Sequence, residues 1–181
     1  IGKTRLLSDL MDAAAGQRLQ DVDFPTLLIG RAYESMVGVP YAMIIDAIDS
    51  VLPGIDVSAM HLSDVWLKEL ARLLPDVLAD RPDLPHPEPM QSGDDRLRLF
   101  QAVAKFLSCL PQPILLTLDD LQWADSFSLS LLAYLLRYPS RQLHLTAVVT
   151  VRTGDDSDAL RMLLNTLERE QLLSRVELTN L

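Results

Sequence analysis

The sequence predicts an α/β protein in which a mostly parallel sheet lies between layers of helix. Three observations predict it. Short apolar runs suited to strands, at 26–30, 113–118 and 145–151, alternate with stretches that carry apolar residues at helical spacing. The run at 113–118 is continuously apolar, as in a strand buried on both faces of a parallel sheet. Finally, the second and third runs end in Asp119-Asp120 and Arg152. That puts chemistry at the carboxyl ends of strands, the edge where open α/β sheets bind ligands.

Each element can be justified in order. Residues 3–16 read as a helix, with Leu6, Leu7, Leu10, Met11 and Ala14 on one stripe. The strand at 26–30 leads into Arg31-Ala32-Tyr33-Glu34. Amphipathic helices are expected near 40–52 and 62–79, the second placing Leu62, Trp66, Leu70, Leu73 and Val77 along one face. The stretch 80–93 holds four prolines and several acids, and reads as a loop or partly disordered insertion. A helix near 94–110 carries Phe100, Val103, Leu107 and Leu110 on one stripe. The helix near 126–137 is apolar almost all round and therefore deeply buried. The last helix, near 156–171, has Leu160, Leu163, Leu164 and Leu167 at i, i+3, i+4 and i+7, and 176–178 reads as a short final strand. There is no internal repeat.

Composition narrows the classes of function. With 181 residues, 49% of them apolar, the chain suits a single domain over 1–181 with a substantial core. A formal net charge of −9 argues against direct nucleic-acid contact, which needs clustered Lys and Arg. No apolar stretch approaches the roughly 20 residues that span a bilayer. The lone Cys109 rules out an intrachain disulfide, fits a reducing compartment, and is expected to be buried on an apolar helix. His61, His86 and His144 lack metal-ligand spacing. No Ser/His/Asp or Cys/His arrangement for nucleophilic catalysis is visible.

The chemistry lies in three short motifs. Ile1-Gly2-Lys3-Thr4 opens the first helix and matches the last positions of a phosphate-binding loop, Gly-x-x-x-x-Gly-Lys-Ser/Thr. The loop's first glycine and its strand are expected upstream of Ile1. Gly2 lets backbone approach phosphate oxygens, and the N–H groups around Lys3 and Thr4 sit where the helix dipole favours an anion. Lys3 would reach the β- and γ-phosphates, and the Thr4 hydroxyl would bind Mg²⁺. A chance Gly-Lys-Thr at a helix start is the bland alternative. In Asp119-Asp120 the first acid would hold Mg²⁺ through water and the second would polarise the attacking water. The alternative there is an exposed acidic turn ahead of a helix capped by Asp125 or Ser126. Arg152 would sense the γ-phosphate or steady charge developing on it, or else be a solvated strand-end arginine. Trp123 is expected to pack behind the acids. Arg31 and Glu34 either approach the phosphate side or form a solvated pair.

Gly2-Lys3-Thr4-Arg5-Leu6-Leu7, Leu118-Asp119-Asp120-Leu121-Gln122-Trp123-Ala124-Asp125 and Val149-Thr150-Val151-Arg152 together resemble the STAND branch of AAA+-related P-loop ATPases. More narrowly, they resemble the origin-recognition-like ATPase domain of large LuxR-type transcription regulators and related signalling proteins. Gly30-Arg31-Ala32-Tyr33-Glu34 and Pro40-Tyr41 are similar to the family's second strand and following loop. The resemblance implies a three-layer P-loop fold whose first strand lies outside this chain, and a cytoplasmic ATP-binding switch using ATP and Mg²⁺. It implies Gly2, Lys3 and Thr4 at the nucleotide, Thr4 and Asp119 at the metal, and Asp120 and Arg152 in hydrolysis. It also implies attached sensor and effector domains and nucleotide-dependent self-association, with activity expected of the intact parent. The alternatives are an interaction module with negligible hydrolysis, or a DNA-processing AAA+ ATPase.

Overall fold

The computed structural model describes residues 2–16, 26–138, 142–152, 154 and 157–178. Helix α1 spans Lys3–Gly16, strand β1 Thr26–Arg31, and α2 Ala42–Asp49. Helices α3 (Asp64–Leu70), α4 (Asp76–Asp80) and α5 (Gly93–Cys109) follow. Then come β2 (Ile114–Asp119), α6 (Ser126–Leu136), β3 (Leu145–Val149) and α7 (Asp158–Arg169). The three strands form one parallel sheet in the order β1-β2-β3, so β2 is central. Five of the six β2 residues are buried, Thr117 and Asp119 among them, as expected of a central strand covered on both faces.

Alternation along the strands divides the sheet into two faces. Leu28, Gly30, Leu116 and Leu118 share the face covered by α2. On the other face Thr117 Oγ1 lies 3.5 Å from Met11 Sδ of α1. Asp119, two residues on, meets Thr4 at the start of that helix. Helices therefore lie on both faces, as expected. The main core is on the α2 side, where α5 packs against α3 and α6, and α7 packs outside α6.

Gly30 sets the distance between β1 and α2. A Cβ there would sit 2.6 Å from Met43 O and 2.9 Å from Ala47 Cβ. The same helix closes the outer edge of β1. Ser50 Oγ just past its end accepts the Ile29 N–H at 3.1 Å, and Asp46 Oδ2 accepts the Arg31 N–H at 2.8 Å. Donors that would otherwise invite another strand are thereby satisfied.

Several expectations need correction. The helix expected over 62–79 is two short helices, α3 and α4, separated around Pro75. Proline has no N–H and its ring collides with the carbonyl four residues back. The Pro-rich stretch is a loop, but an anchored one. Leu84 is buried, Arg81 pairs with Asp64 and Asp83, and Arg72 donates to Glu88 O. The loop ends in a capping box, in which Ser92 and Asp95 satisfy each other's backbone donors at the start of α5. Residues 176–178 make no strand. Val176 is 81% exposed, because no sheet edge lies alongside to take up its backbone bonds. Cys109, the last residue of α5, is exposed rather than buried. The last helix opens at Asp158; residue 156, and Ile1 of the first motif, lie outside the described residues. Among the described residues no helix is long and apolar enough to cross a membrane.

Replacing Gly30 by alanine should push α2 off β1. We expect Gly30→Ala to lower unfolding free energy by about 1–3 kcal/mol with an unchanged denaturant slope, read from urea titration.

Candidate functional site

Strand register assembles the site. Pairing of β1 with β2 sets Arg31 beside Asp119. The β2–β3 ladder ends at Leu118 and Val149, and Thr150 follows beside Asp119 on the other side. Arg31, Asp119 and Thr150 thus form a row across the carboxyl edge of the sheet, on the α1 face.

Asp119 is the centre of that row and only 4% exposed. Its Oδ1 accepts the Thr150 hydroxyl at 2.5 Å. Its Oδ2 accepts the Thr4 hydroxyl at 3.0 Å and lies 3.4 Å from an Arg31 guanidinium nitrogen. A buried carboxylate needs such partners to remain charged. Thr4 and Asp119, distant in sequence, are therefore in direct contact.

The start of α1 has the features of an anion site. Gly2 has φ +122°, a conformation side chains rarely adopt, and the space where its Cβ would sit is open. The first intrahelical bond runs from the Leu6 N–H to Gly2 O, so the N–H groups of Lys3, Thr4 and Arg5 precede the helix ladder. Lys3 Nζ donates to Val151 O at 2.6 Å, two residues past the end of β3, and pairs with neither acid.

Asp120 occupies a different environment. It adopts the left-handed conformation (φ 58°, ψ 46°), which turns the chain out of β2 into a short 3-10 turn, Leu121–Trp123. Its N–H donates to Thr150 Oγ1 at 2.9 Å. Its Oδ1 accepts Gln122 Nε2 at 2.8 Å and Arg152 Nε at 3.3 Å. Of the residues expected from the sequence, Thr4 pairs with Asp119 and Arg152 with Asp120. Trp123 packs half-buried against the core and lines a small cleft with Arg31, Met43 and Asp46. Arg31 reaches the site, whereas Glu34 starts a separate 3-10 turn. The sequence reasoning missed Thr150 and Gln122. Thr150 was detectable, because matching the ends of the two strands sets it level with Asp119.

Asp125 closes the acidic block as structure. Its Oδ1 accepts the N–H groups of Phe127, Ser128 and Tyr41 at 2.9, 3.0 and 3.2 Å. Its Oδ2 accepts the Ser128 hydroxyl at 2.5 Å. One carboxylate thus caps α6 and holds the left-handed Tyr41 that opens α2.

A parallel α/β sheet whose central strand ends in paired acids, facing a Gly-Lys-Thr helix start, defines a P-loop nucleoside-triphosphatase-like protein. The model of the AAA ATPase domain family matches residues 1–149, and the chain belongs to that family. Neither the curated proteins nor the solved structures yield a match.

The donor set can be tested against the group this family implies. Thr4 Oγ1 and Asp119 Oδ2 are hard oxygen donors in mutual contact, and among the described residues no cluster of three His, Cys, Asp or Glu is arranged as a metal cage. Those donors fit Mg²⁺, which prefers one or two protein oxygens and completes its shell with water and phosphate.

The Asp125 network carries its own prediction. Asp125→Ala removes a helix cap and leaves the buried Tyr41 N–H without an acceptor, so unfolding free energy should fall by about 2–4 kcal/mol in urea titration. Asp125→Asn keeps one acceptor and should lose less than half as much.

Proposed function

We propose that this chain is the ATP-binding, ATP-hydrolysing switch domain of a multidomain signalling or transcriptional regulator. The observation that carries the reading is the contact of Thr4 with Asp119 beside the Arg152–Asp120 pair. Two acids on successive residues have different partners and hence different roles.

In this mechanism Gly2 and the free N–H groups at the start of α1 receive the phosphates, and Lys3 turns from Val151 O to the β- and γ-phosphate oxygens. Thr4 and Asp119 would hold Mg²⁺, which would neutralise phosphate charge. Asp120 accepts the proton of the attacking water. The water oxygen bonds to the γ-phosphorus as the bond to the β–γ bridging oxygen breaks, and that electron pair leaves with ADP. The products are ADP and phosphate. Arg152, 58% exposed at its side chain, moves from Asp120 to the charge developing on the γ-phosphoryl group.

The intact acidic pair favours turnover over a binding-only module, which has no use for Asp120. The acidic net charge of −9 counts against a DNA-processing ATPase. The block from Asp119 to Asp125 supports the regulator setting through its resemblance to STAND ATPases. In that setting ATP binding drives self-association, hydrolysis resets it, and attached sensor and effector domains act in the cytoplasm.

Two measurements test the reading. Calorimetry with Mg²⁺-ATP on the intact parent should show Lys3→Ala binding more weakly by about 1.5–3 kcal/mol, the worth of a charge-assisted contact. Unchanged affinity would sink the phosphate-loop assignment. Asp120→Asn should keep its ATP affinity and lose on the order of 100-fold in phosphate release, the contribution of a general base. Parental turnover in that variant removes Asp120 from the mechanism.

A further inference from the structure

Gln122 has no part in the mechanism above, yet it is 5% exposed and lies among the groups that perform it. It is the middle residue of the 3-10 turn that follows Asp120. Its Nε2 donates to Asp120 Oδ1 at 2.8 Å, and its Oε1 accepts the Arg152 backbone N–H at 3.1 Å. The two contacts fix the amide's orientation, because a carboxylate needs the NH₂ end and an N–H needs the oxygen. Backbone bonds run in the same direction: the Leu121 N–H donates to Thr150 O at 2.9 Å, beside the Asp120–Thr150 contact. The end of β2 and the chain leaving β3 are thus stitched together, and Gln122 is one of the side chains that reach from one to the other.

The two donors on Asp120 are unequal. Arg152 is the more distant and the more exposed, whereas Gln122 is closer and enclosed. Both bind Oδ1. Among the described residues Oδ2 accepts no hydrogen bond, and the Asp120 side chain is 26% exposed. One oxygen is anchored and the other remains available to water.

We propose that Gln122 is a positioning residue for the hydrolytic step. It holds Asp120 by one oxygen when Arg152 turns to the phosphate, and leaves Oδ2 to take the proton. It also keeps the Arg152 backbone in place as the guanidinium moves. The inference rests on the reading of Asp120 given above, and deepens it.

The test compares Gln122→Met, which makes neither bond, with Gln122→Glu, which keeps an acceptor for the Arg152 N–H but withdraws the donor from Asp120. Mg²⁺-ATP turnover is measured alongside amide hydrogen exchange. Both variants should lose at least about tenfold in kcat with KM within about twofold, the pattern of an interaction that acts in the transition state. Only Gln122→Met should lose exchange protection at Arg152. Adding Gln122→Glu to Asp120→Asn should cost less than about twofold more, because the contact it withdraws acts through that carboxylate. Parental kcat in Gln122→Met beside a slow Asp120→Asn overturns this inference alone, as does a full tenfold loss on top of Asp120→Asn. Parental turnover in Asp120→Asn overturns the reading of Asp120, and this inference with it.

Discussion

The structure depends on burying the Asp119 carboxylate at the end of the central strand. A charge in that position must be compensated on every side, and the fold does so from three separate elements. Thr150 after β3 bonds one oxygen, while Thr4 of α1 and Arg31 of β1 meet the other. Register on both flanks of β2 is therefore tied to the site. A slip of one residue in β2 would turn Asp119 to the face packed by α2, beside Leu28 of β1 and the buried Met43 and Ala47 of α2. Sheet order and the position of α1 follow from the same requirement.

Much of this was legible in the sequence, for physical reasons that differ by element. The short apolar run of β2 suited a strand buried on both faces, and its acids pointed to the functional edge. The leucines at 160, 163 and 167 gave the inward stripe of α7, and all three are buried. Family membership followed from motifs whose residue types are dictated by phosphate chemistry. Features that arise only in three dimensions were less legible. Pro75 was visible, but a strong apolar stripe on either side masked its effect. Val176-Glu177-Leu178 has the composition of a strand, yet composition cannot supply a neighbouring edge. Cys109 was misplaced because one residue at a helix end shifts a side chain by about 100° around the axis. Thr150 and Gln122 have no motif of their own, and their importance comes from which strand ends lie together.

The two acids illustrate how local backbone assigns chemistry. Asp119 retains strand geometry and points toward α1, where it is enclosed. One residue later the left-handed turn at Asp120 swings the next carboxylate to a place where Gln122 and Arg152 meet it and water reaches it. Adjacent identical side chains thus sit in different environments, which in the proposed mechanism suit one to holding a cation and the other to accepting a proton. The sequence Asp-Asp alone does not contain that difference. It arises because the strand ends between them.

The internal pairing of Lys3, Arg31 and Arg152 also bears on selectivity. Each of these cations already has an oxygen partner within the chain, so an anion that engages one of them must replace an existing contact. A small oxyanion can replace one such contact at a time, and gains little by exchanging one oxygen for another. A polyphosphate offers several oxygens at the right spacing in a single molecule, and its combined contacts offset the loss of more than one internal pair. In the proposed mechanism the resting arrangement therefore favours a polyphosphate over a small oxyanion, before any group recognises the base.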